Sequence, residues 1–369
     1  MAEKTASTPS APETTEQFVE RFRNGIIGSI WSLGMIVGDR LGLIGLMLSF
    51  DSAPKSSAEV AQAANYKERY VREWLNMGVA FDFISCNEEG NQYWITPEKC
   101  AAIRSQEFQL AMAEGRCMLI SFAGVMDQLI ECFKPDGPRG IPYSAYNNFT
   151  EELSKFTEAI MKDSLIPNIA SKFPDSAKST LENGGKLLDV ACGVGGTTVL
   201  WAKAYPKTSV VGFDFSSEAI ERAKHNAAEQ NIANIEYFCG DAASIDNKFT
   251  GQFDVVTVID ALHDMARPDK CLGEVHKVLK PGGMFCLIDI YSRSNPYLNR
   301  RRPERGLFYG ASLFHCTPVS MYFPDGMGLG TCWGQDLATK MLEDAGFEVV
   351  TVGENAIPGL MHFFSIRKS

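Results

Sequence analysis

From Gly185 onward, the chain alternates short apolar runs with segments of helical periodicity. The runs occupy residues 186–191, 209–213, 235–239, 253–259, 284–290, 349–352 and 361–366. Nearly continuous apolar strands joined by helices predict a parallel sheet that helices cover on both faces. Only residues 353–360 separate the last two runs. That is too short for a crossover helix, so we expect these two strands to pair antiparallel.

A glycine-rich loop follows the first run, with the sequence Asp189-Val190-Ala191-Cys192-Gly193-Val194-Gly195-Gly196 before a helix predicted to begin near Thr197. Glycines here let the backbone turn sharply and approach a ligand at the helix N-terminus. The loop alone is compatible with nicotinamide, flavin and nucleoside ligands. However, the third glycine of a dinucleotide motif would fall at Thr198, and the carboxylate of Asp189 would disfavour a pyrophosphate. We therefore expect a ligand that carries an ammonium group.

Acidic residues end the next two predicted strands. Asp214 lies 19 residues after Gly195, which is the spacing of a carboxylate that binds ribose hydroxyls. Asp241 and Ala242 follow the third strand, where a carboxylate can accept a hydrogen bond from an adenine amino group and an amide can face a ring nitrogen. The fourth strand leads into Asp260-Ala261-Leu262-His263-Asp264, and the following helix ends in Leu279-Lys280-Pro281-Gly282-Gly283.

These motifs, in this order, resemble those of class I S-adenosylmethionine-dependent methyltransferases. The resemblance implies an α/β fold with a Rossmann-like seven-stranded methyltransferase sheet of order 3-2-1-4-5-7-6. It also implies S-adenosyl-L-methionine as the cofactor. The residues implied to bind it are Asp189, Ala191, Gly193, Gly195, Asp214, Phe215, Asp241, Ala242 and Asp260. Ala191 departs from the family, which usually has glycine there, but alanine is small enough for binding to be retained.

The first half of the chain predicts helices followed by a two-stranded wing. Ser56 and Glu59 form a capping-box pattern, and the polar turn 87–91 separates two short strand-like runs. The chain is similar to a bacterial-type group of winged-helix methyltransferases related to small-molecule O-methyltransferases. The similarity lies in segments 37–43, 68–75, 93–98, 316–320 and 328–334 and in Pro142-Tyr143. We predict a disordered tail (1–15), a winged-helix and dimerisation domain (16–110), connecting helices (111–175) and an S-adenosylmethionine-binding domain (176–369).

Charge argues against nucleic acid as a partner. The 369 residues include 35 Lys and Arg against 45 Asp and Glu, a net charge of −10, and residues 16–107 alone hold 9 basic and 12 acidic residues. A protein that reads DNA grooves needs a positive face. We therefore expect the winged helix to form a homodimer and to wall the site of a small-molecule acceptor.

Cysteine usage and hydropathy indicate the compartment. The ten cysteines contain no C-x-x-C pair, which predicts a reduced, cytoplasmic protein without a metal site. Asp39 and Arg40 interrupt the apolar residues 25–50 at a depth where a bilayer would penalise them. We therefore expect buried helices in a core or a dimer interface, with no membrane span.

Two of the five histidines fall where this fold places ligands. His263 follows the fourth strand, and with Asp264 it resembles the His-Asp pair of plant phenolic O-methyltransferases, in which the histidine is the general base. Asp264 or Asp260 would orient its ring. The alternative is that His263 only packs near the cofactor.

The second histidine, His315, lies in an insert after the fifth strand. The aromatic residues there predict an apolar acceptor site. The residues proposed to line it are Tyr143, Tyr146, His315, Tyr322 and Trp333. The basic run Arg300-Arg301-Arg302 with Arg305 could bind a phosphate or carboxylate, although we favour a solvated lid segment.

The sequence thus predicts a methyltransferase that acts on O or S, and less readily on N, of a small, partly apolar molecule. Two alternatives stay open. One is a winged-helix transcriptional regulator that binds S-adenosylmethionine, and the other is a non-catalytic partner subunit.

Overall fold

The computed structural model describes residues 13–146, 165–300, 303–354 and 360–367. Residues 1–12 of the predicted tail lie outside this range. The chain divides into two compact units, Met1–Leu119 and Ile120–Ser369. The finer division at residues 15, 110 and 175 stays a prediction.

The first unit is helical with one small hairpin. Its elements are α1 (Thr15–Arg40), α2 (Leu43–Ser49), α3 (Ser57–Ala64), α4 (Glu68–Ala80), β1 (Ser85–Cys86), β2 (Tyr93–Trp94), α5 (Pro97–Ile103) and α6 (Gln106–Gly124), which continues past the unit border. The predicted capping box is present, because Ser56 and Glu59 each accept the backbone N–H of the other. Strands β1 and β2 pair antiparallel as the wing.

The buried residues of α1 lie near its C-terminal end, at Met35, Ile36 and Gly38. Trp74 on α4 donates its indole N–H to the carbonyl of Gly34 at 3.0 Å, and a Cβ on Gly38 would lie 2.4 Å from the same ring. These small residues let α4 approach α1 closely. Further apolar residues of α1 are exposed, at Phe18, Val19, Phe22, Ile26, Ile27, Ile30, Leu33 and Val37. We expect residues 25–50 to be buried in a core or a dimer interface, and within one chain only part of this segment is buried.

No single described helix is long and apolar enough to cross a membrane. The pair α1 and α2, bent by 71° at its junction, meets the length and composition limits only when both helices are counted together.

The second unit alternates strands and helices. Its strands are β3 (Lys186–Val190), β4 (Ser209–Asp214), β5 (Ile235–Cys239), β6 (Phe253–Ile259), β7 (Leu279–Ile290), β8 (Phe347–Glu354) and β9 (Leu360–Arg367). Its α-helices are α7 (Met126–Cys132), α8 (Leu165–Ser171), α9 (Asp175–Glu182), α10 (Gly196–Ala204), α11 (Ser217–Glu229), α12 (Pro268–Val278), α13 (Pro296–Asn299), α14 (Pro303–Ala311), α15 (Thr317–Met321) and α16 (Gln335–Asp344). Short 3₁₀ turns lie at Tyr143–Ala145, Asn247–Phe249 and Leu262–Asp264, and a π-helix lies at Ser312–Cys316.

The sheet has the predicted topology. Its order is β5-β4-β3-β6-β7-β9-β8, which is 3-2-1-4-5-7-6 when strands are counted from β3. Strands β3 to β7 are parallel, and β9 pairs antiparallel with both β7 and β8. Neighbouring residues of β3 face different cores, with Leu187 in one and Leu188 in the other. Helices therefore cover both faces, as the apolar strands predict.

Strand β7 begins earlier than the sequence indicates. We expect its start at residue 284 because Pro281-Gly282-Gly283 is typical of a turn, yet the strand starts at Leu279. Leu279 pairs with Phe253 and Met284 with Val255, so the intervening residues form an irregularity in the ladder. A bulge thus absorbs the turn-like sequence without ending the strand.

Candidate active site

Asp189 supports the glycine loop from below. Its carboxylate is 1% exposed and accepts hydroxyl hydrogen bonds from Thr197 and Thr198 at 2.7 Å each and from Thr257 at 2.9 Å. Burial raises the pKa of Asp189, and the three hydroxyl donors oppose that effect. The contact of this carboxylate with a cationic ligand stays a prediction. Its two oxygens are used to fix the first turn of α10 against β6.

The loop itself uses left-handed backbone conformations. Ala191 has φ 57°, Gly193 φ 54° and Gly195 φ 83°. At Gly195 a Cβ would lie 2.4 Å from the hydroxyl of Tyr237, so glycine is required there on two grounds. Ala191 accepts a conformation that costs an L-residue about 1 kcal/mol, which explains why glycine is usual at this position.

Asp214 lies at the end of β4 beside the loop. Its carboxylate accepts the backbone N–H groups of Gly193 and Ser216 at 2.9 Å each. Burial raises the pKa of Asp214, while these backbone donors lower it. The next residue, Phe215, exposes 65% of its surface. An acceptor group and a free aromatic ring therefore lie side by side at this edge of the sheet.

Asp241 follows β5 and is exposed. One of its carboxylate oxygens accepts the backbone N–H of Ala243 at 2.8 Å, which holds the side chain in a tight turn. Ala242 is partly buried against the core of the sheet.

These residues fit the expected cofactor. A Cβ on Gly193 or Gly196 would meet no atom within 4 Å, so the backbone at the start of α10 is open to a ligand. Asp214 supplies acceptors for ribose hydroxyls, and Phe215 offers a flat surface for a nucleobase. Asp241 supplies an acceptor for an exocyclic amine. These direct contacts stay predictions.

His263 forms a buried pair with a carboxylate from the neighbouring strand. Its Nδ1 donates to Oδ1 of Asp289 on β7 at 2.7 Å, and both side chains are buried. The Nε1–H of Trp333 donates to the other oxygen of Asp289 at 3.2 Å. The sequence predicts Asp264 or Asp260 in this orienting role, which is wrong. Asp289 reaches the ring because its strand, β7, pairs with β6, which leads into the turn that carries His263. Asp264 lies in that same short turn, directly after His263.

Asp264 and Asp260 lie close to this pair without orienting the ring. Burial raises the pKa of Asp264 to about 6, and the positive charge of His263 opposes the rise. Asp260 adopts φ 53° and still reaches solvent. Asp260, His263 and Asp289 also place one potential ligand atom each within 4.8 Å of one another. However, hydrogen bonds to His263 and Trp333 already use the carboxylate of Asp289.

The segment after β7 carries the remaining predicted acceptor residues. His315 is buried in the π-helix, with the rings of Tyr146 and Tyr143 at 4.7 and 5.4 Å. Burial, together with the nearby charge of His263, lowers the pKa of His315 to about 3. Trp333 is buried as well, whereas Tyr322 is 47% exposed and packs on Phe323. The described structure therefore groups His315, Tyr143 and Tyr146 but not Tyr322.

Backbone hydrogen bonds join this segment to the turn that carries His263. Gly330 donates to the carbonyl of His263 at 3.1 Å, and Met327 donates to that of Ala266 at 2.9 Å. Close to Gly330, Thr331 donates its hydroxyl to the thiol sulfur of Cys316 at 3.0 Å. The segment therefore covers the turn of the proposed base.

Sequence reasoning missed Asp289. A signal for Asp289 was available, since an acidic residue interrupts the otherwise apolar run 284–290. Charged residues inside a buried strand are rare unless they are paired.

Comparisons with known proteins agree with this geometry. Residues 181–346 match the family described as "Methyltransferase domain", and residues 29–104 match the "Rv2258c-like winged HTH domain". An uncharacterized methyltransferase of Synechocystis is 35% identical over 175 residues, covering 45% of this chain and 68% of that protein.

Two solved structures show the same fold over nearly the whole chain. An O-methyltransferase family protein of Burkholderia thailandensis has a TM-score of 0.68 at 16% identity, covering 96% of this chain and 99% of the other. Human N-acetylserotonin methyltransferase, solved in complex with S-adenosylmethionine, has a TM-score of 0.65 at 17% identity, covering 98% and 100%. The chain therefore belongs to the class I S-adenosylmethionine-dependent methyltransferases, with a winged-helix domain before the methyltransferase domain.

Proposed function

We propose that this enzyme methylates an oxygen or sulfur atom, and less readily a nitrogen, of a small, partly apolar molecule, with His263 as the general base. The observation that carries the proposal is the buried hydrogen bond of 2.7 Å between His263 and Asp289. An imidazole fixed by a carboxylate is suited to proton removal, because one nitrogen is held and the other is directed.

When bound, S-adenosylmethionine supplies an electrophilic methyl group on a sulfonium centre. The chain must then position the cofactor and the acceptor. We assign Asp214 to the ribose hydroxyls, Asp241 and Ala242 to the adenine, and the backbone around Gly193 and Gly195 to the remainder of the cofactor. Asp189 holds that loop in place through its three hydroxyl bonds.

Asp289 determines which nitrogen of His263 receives the proton. An ionised carboxylate can only accept, so in the neutral ring Nδ1 carries the hydrogen and Nε2 keeps its lone pair. Burial lowers the pKa of His263, but the charge of Asp289 and its hydrogen bond outweigh burial and hold the pKa well above its usual value. The base is therefore strong, and the rate should rise with pH until His263 is deprotonated.

The acceptor atom decides how much the base contributes. A free thiol titrates near 8.5 and a phenol near 10, so a phenol depends more on proton removal. We expect His263→Ala to slow methylation of a phenol by about 10²–10⁴-fold. The effect on a thiol should be smaller.

Labelling of small molecules tests the proposal. The purified protein is incubated with a cell extract and methyl-labelled S-adenosylmethionine, and labelled products are identified by mass spectrometry. The purified acceptor is then used to compare the wild type with His263→Ala across pH. A maximal rate within about threefold of the wild type would exclude His263 as the base. If calorimetry detects no binding of S-adenosylmethionine, the catalytic proposal itself fails.

We further propose that α1 pairs with α1 of a second copy of this chain. Its exposed apolar face extends over several helical turns from Phe18 to Val37. Monomeric proteins seldom leave a continuous apolar surface of this kind in water. Ile26→Glu should therefore produce a monomer in sedimentation velocity. Tyr70→Glu, at an exposed aromatic residue on α4, is the matched control. A monomeric wild type would refute this assembly.

A further inference from the structure

Arg305 is buried, although the basic run to which it belongs suggests a solvated segment. Its side chain on α14 is 5% exposed, and Nη1 donates to the backbone carbonyl of Tyr291. The guanidinium carbon lies 4.8 Å from the ring centre of Tyr291 and 5.8 Å from that of Phe308. The side chain is thus held by one hydrogen bond and two aromatic rings.

The charge of this guanidinium is not balanced locally. Among residues 13–146, 165–300, 303–354 and 360–367, no carboxylate is recorded in an ion pair with Arg305. Arginine stays protonated under all conditions in which proteins fold. A buried charge without a counter-ion is costly, so such residues normally meet an anion. The remaining guanidinium nitrogens are not among the fully enclosed polar atoms that lack a partner in the described chain, so they are not completely sealed from a ligand.

Arg305 also lies near the proposed base. Tyr291, whose carbonyl it contacts, is two residues beyond Asp289 along the chain. The thiol of Cys332 provides a second link. Burial raises its pKa to about 11, and the positive charges of Arg305 and His263 both oppose the rise. One buried thiol therefore lies within electrostatic range of both groups.

We propose that Arg305 binds a carboxylate of the methyl acceptor, whose nucleophilic atom faces His263. The planar guanidinium can present two parallel N–H groups to a carboxylate, and a point charge such as lysine cannot. The rings of Tyr291 and Phe308 beside it favour a flat acceptor. This inference rests on the proposed function and narrows it to flat, acidic acceptors such as hydroxylated aromatic acids.

Arg300 provides a matched control for the charge. It belongs to the same run, but its side chain is exposed and its guanidinium lies 3.4 Å from the ring centre of Tyr297. Arg300→Met removes the same charge from the same segment without touching the buried group. Arg301 and Arg302 lie outside the described residues.

Calorimetry on the full-length protein tests the proposal with two probes, 4-hydroxybenzoate and its neutral analogue 4-hydroxybenzamide. Each is titrated with and without S-adenosylhomocysteine. We expect the wild type and Arg300→Met to bind the acid at least tenfold more tightly than the amide. Arg305→Met should bind both probes equally. Arg305→Lys should recover only part of the preference for the acid, because lysine keeps the charge but loses the two parallel N–H groups.

Three results would overturn the proposal. They are equal affinity of the wild type for acid and amide, a preference for the acid that persists in Arg305→Met, and no binding of the acid by the wild type at millimolar concentration. Circular dichroism and binding of S-adenosylhomocysteine verify that each variant is folded. If Arg305→Met does not fold, Arg305→Lys is compared with the wild type in its place. Failure to bind S-adenosylhomocysteine contradicts the proposed function, whereas loss of acid preference alone contradicts only the role of Arg305.

Discussion

Replacement of Asp289 by asparagine isolates the contribution of the carboxylate to the proposed base. The Asp289→Asn variant keeps the size of the side chain but loses its charge. In the wild type, Asp289 accepts from His263 at 2.7 Å, from Trp333 at 3.2 Å and from the backbone N–H of Ile290 at 2.7 Å. An asparagine amide has one oxygen, so its NH₂ group must face at least one of these donors.

Two magnitudes follow from this contact. Loss of a buried hydrogen bond to a charged group should lower the free energy of unfolding by about 1.5–3 kcal/mol. The pKa of His263 should fall from its raised value, because burial still lowers it and the charge of Asp289, the largest effect that raises it, is gone. The neighbouring Cys316, which also raises this pKa, remains in place.

Titration by NMR measures this directly and needs no acceptor. The imidazole resonances of the full-length protein are followed across pH, and His263→Gln identifies the signal of His263. We expect the wild-type signal to titrate above 6.5 and the Asp289→Asn signal to titrate at a lower pH than the wild-type signal. Asp336→Asn, which alters an exposed carboxylate near Arg293, should leave the titration unchanged. If Asp289→Asn leaves the pKa of His263 unchanged, the pairing is refuted.

Three further predictions concern stability and the glycine loop. Gly195→Ala should lower the free energy of unfolding, measured in urea, by about 1–3 kcal/mol, because position 195 combines a positive φ with a clash against Tyr237. Gly196→Ala should change the same free energy by less than about 0.5 kcal/mol. Equal effects of the two substitutions would contradict the strain assigned to Gly195. Thr257→Val should lower the free energy of unfolding by about 1–3 kcal/mol, because it removes a hydrogen-bond donor from the buried carboxylate of Asp189. An unchanged urea denaturation curve would mean that this hydrogen bond contributes little to stability. Because His263 has a raised pKa in the folded state, its contribution to stability should be complete below pH 6.5 and be lost as pH rises through the folded-state pKa. His263→Gln should flatten that part of the stability profile, and an unchanged profile would contradict the raised pKa.

Local sequence patterns are sufficient for the sheet but not for the orientation of its side chains. Apolar periodicity locates all seven strands, and the short link 353–360 predicts the antiparallel pair. The same patterns place Asp189 correctly at the end of β3. They cannot show that its carboxylate turns toward three hydroxyls from two other elements.

The partner of His263 is out of reach for a related reason. Asp264 is its neighbour in sequence, while Asp289 becomes its neighbour only when β7 pairs with β6. Burial of Arg305 is likewise a tertiary effect, since four arginines in six residues suggest a solvated surface. Strand pairing and helix packing decide these contacts, and neither is a property of nearby residues.

The π-helix Ser312–Cys316 has a consequence for insertions and deletions. A π-turn holds one more residue than the α-turn it replaces. Deletion of the exposed Leu313 would let the surrounding helix close as a regular α-helix, and the turns on either side would keep nearly the same faces. Deletion of the exposed Leu307 from the regular helix α14 would instead rotate the following residues, including His315 and Cys316, by about 100°. The π-helix is therefore the place where this segment can change its length while the residues after it keep their orientation.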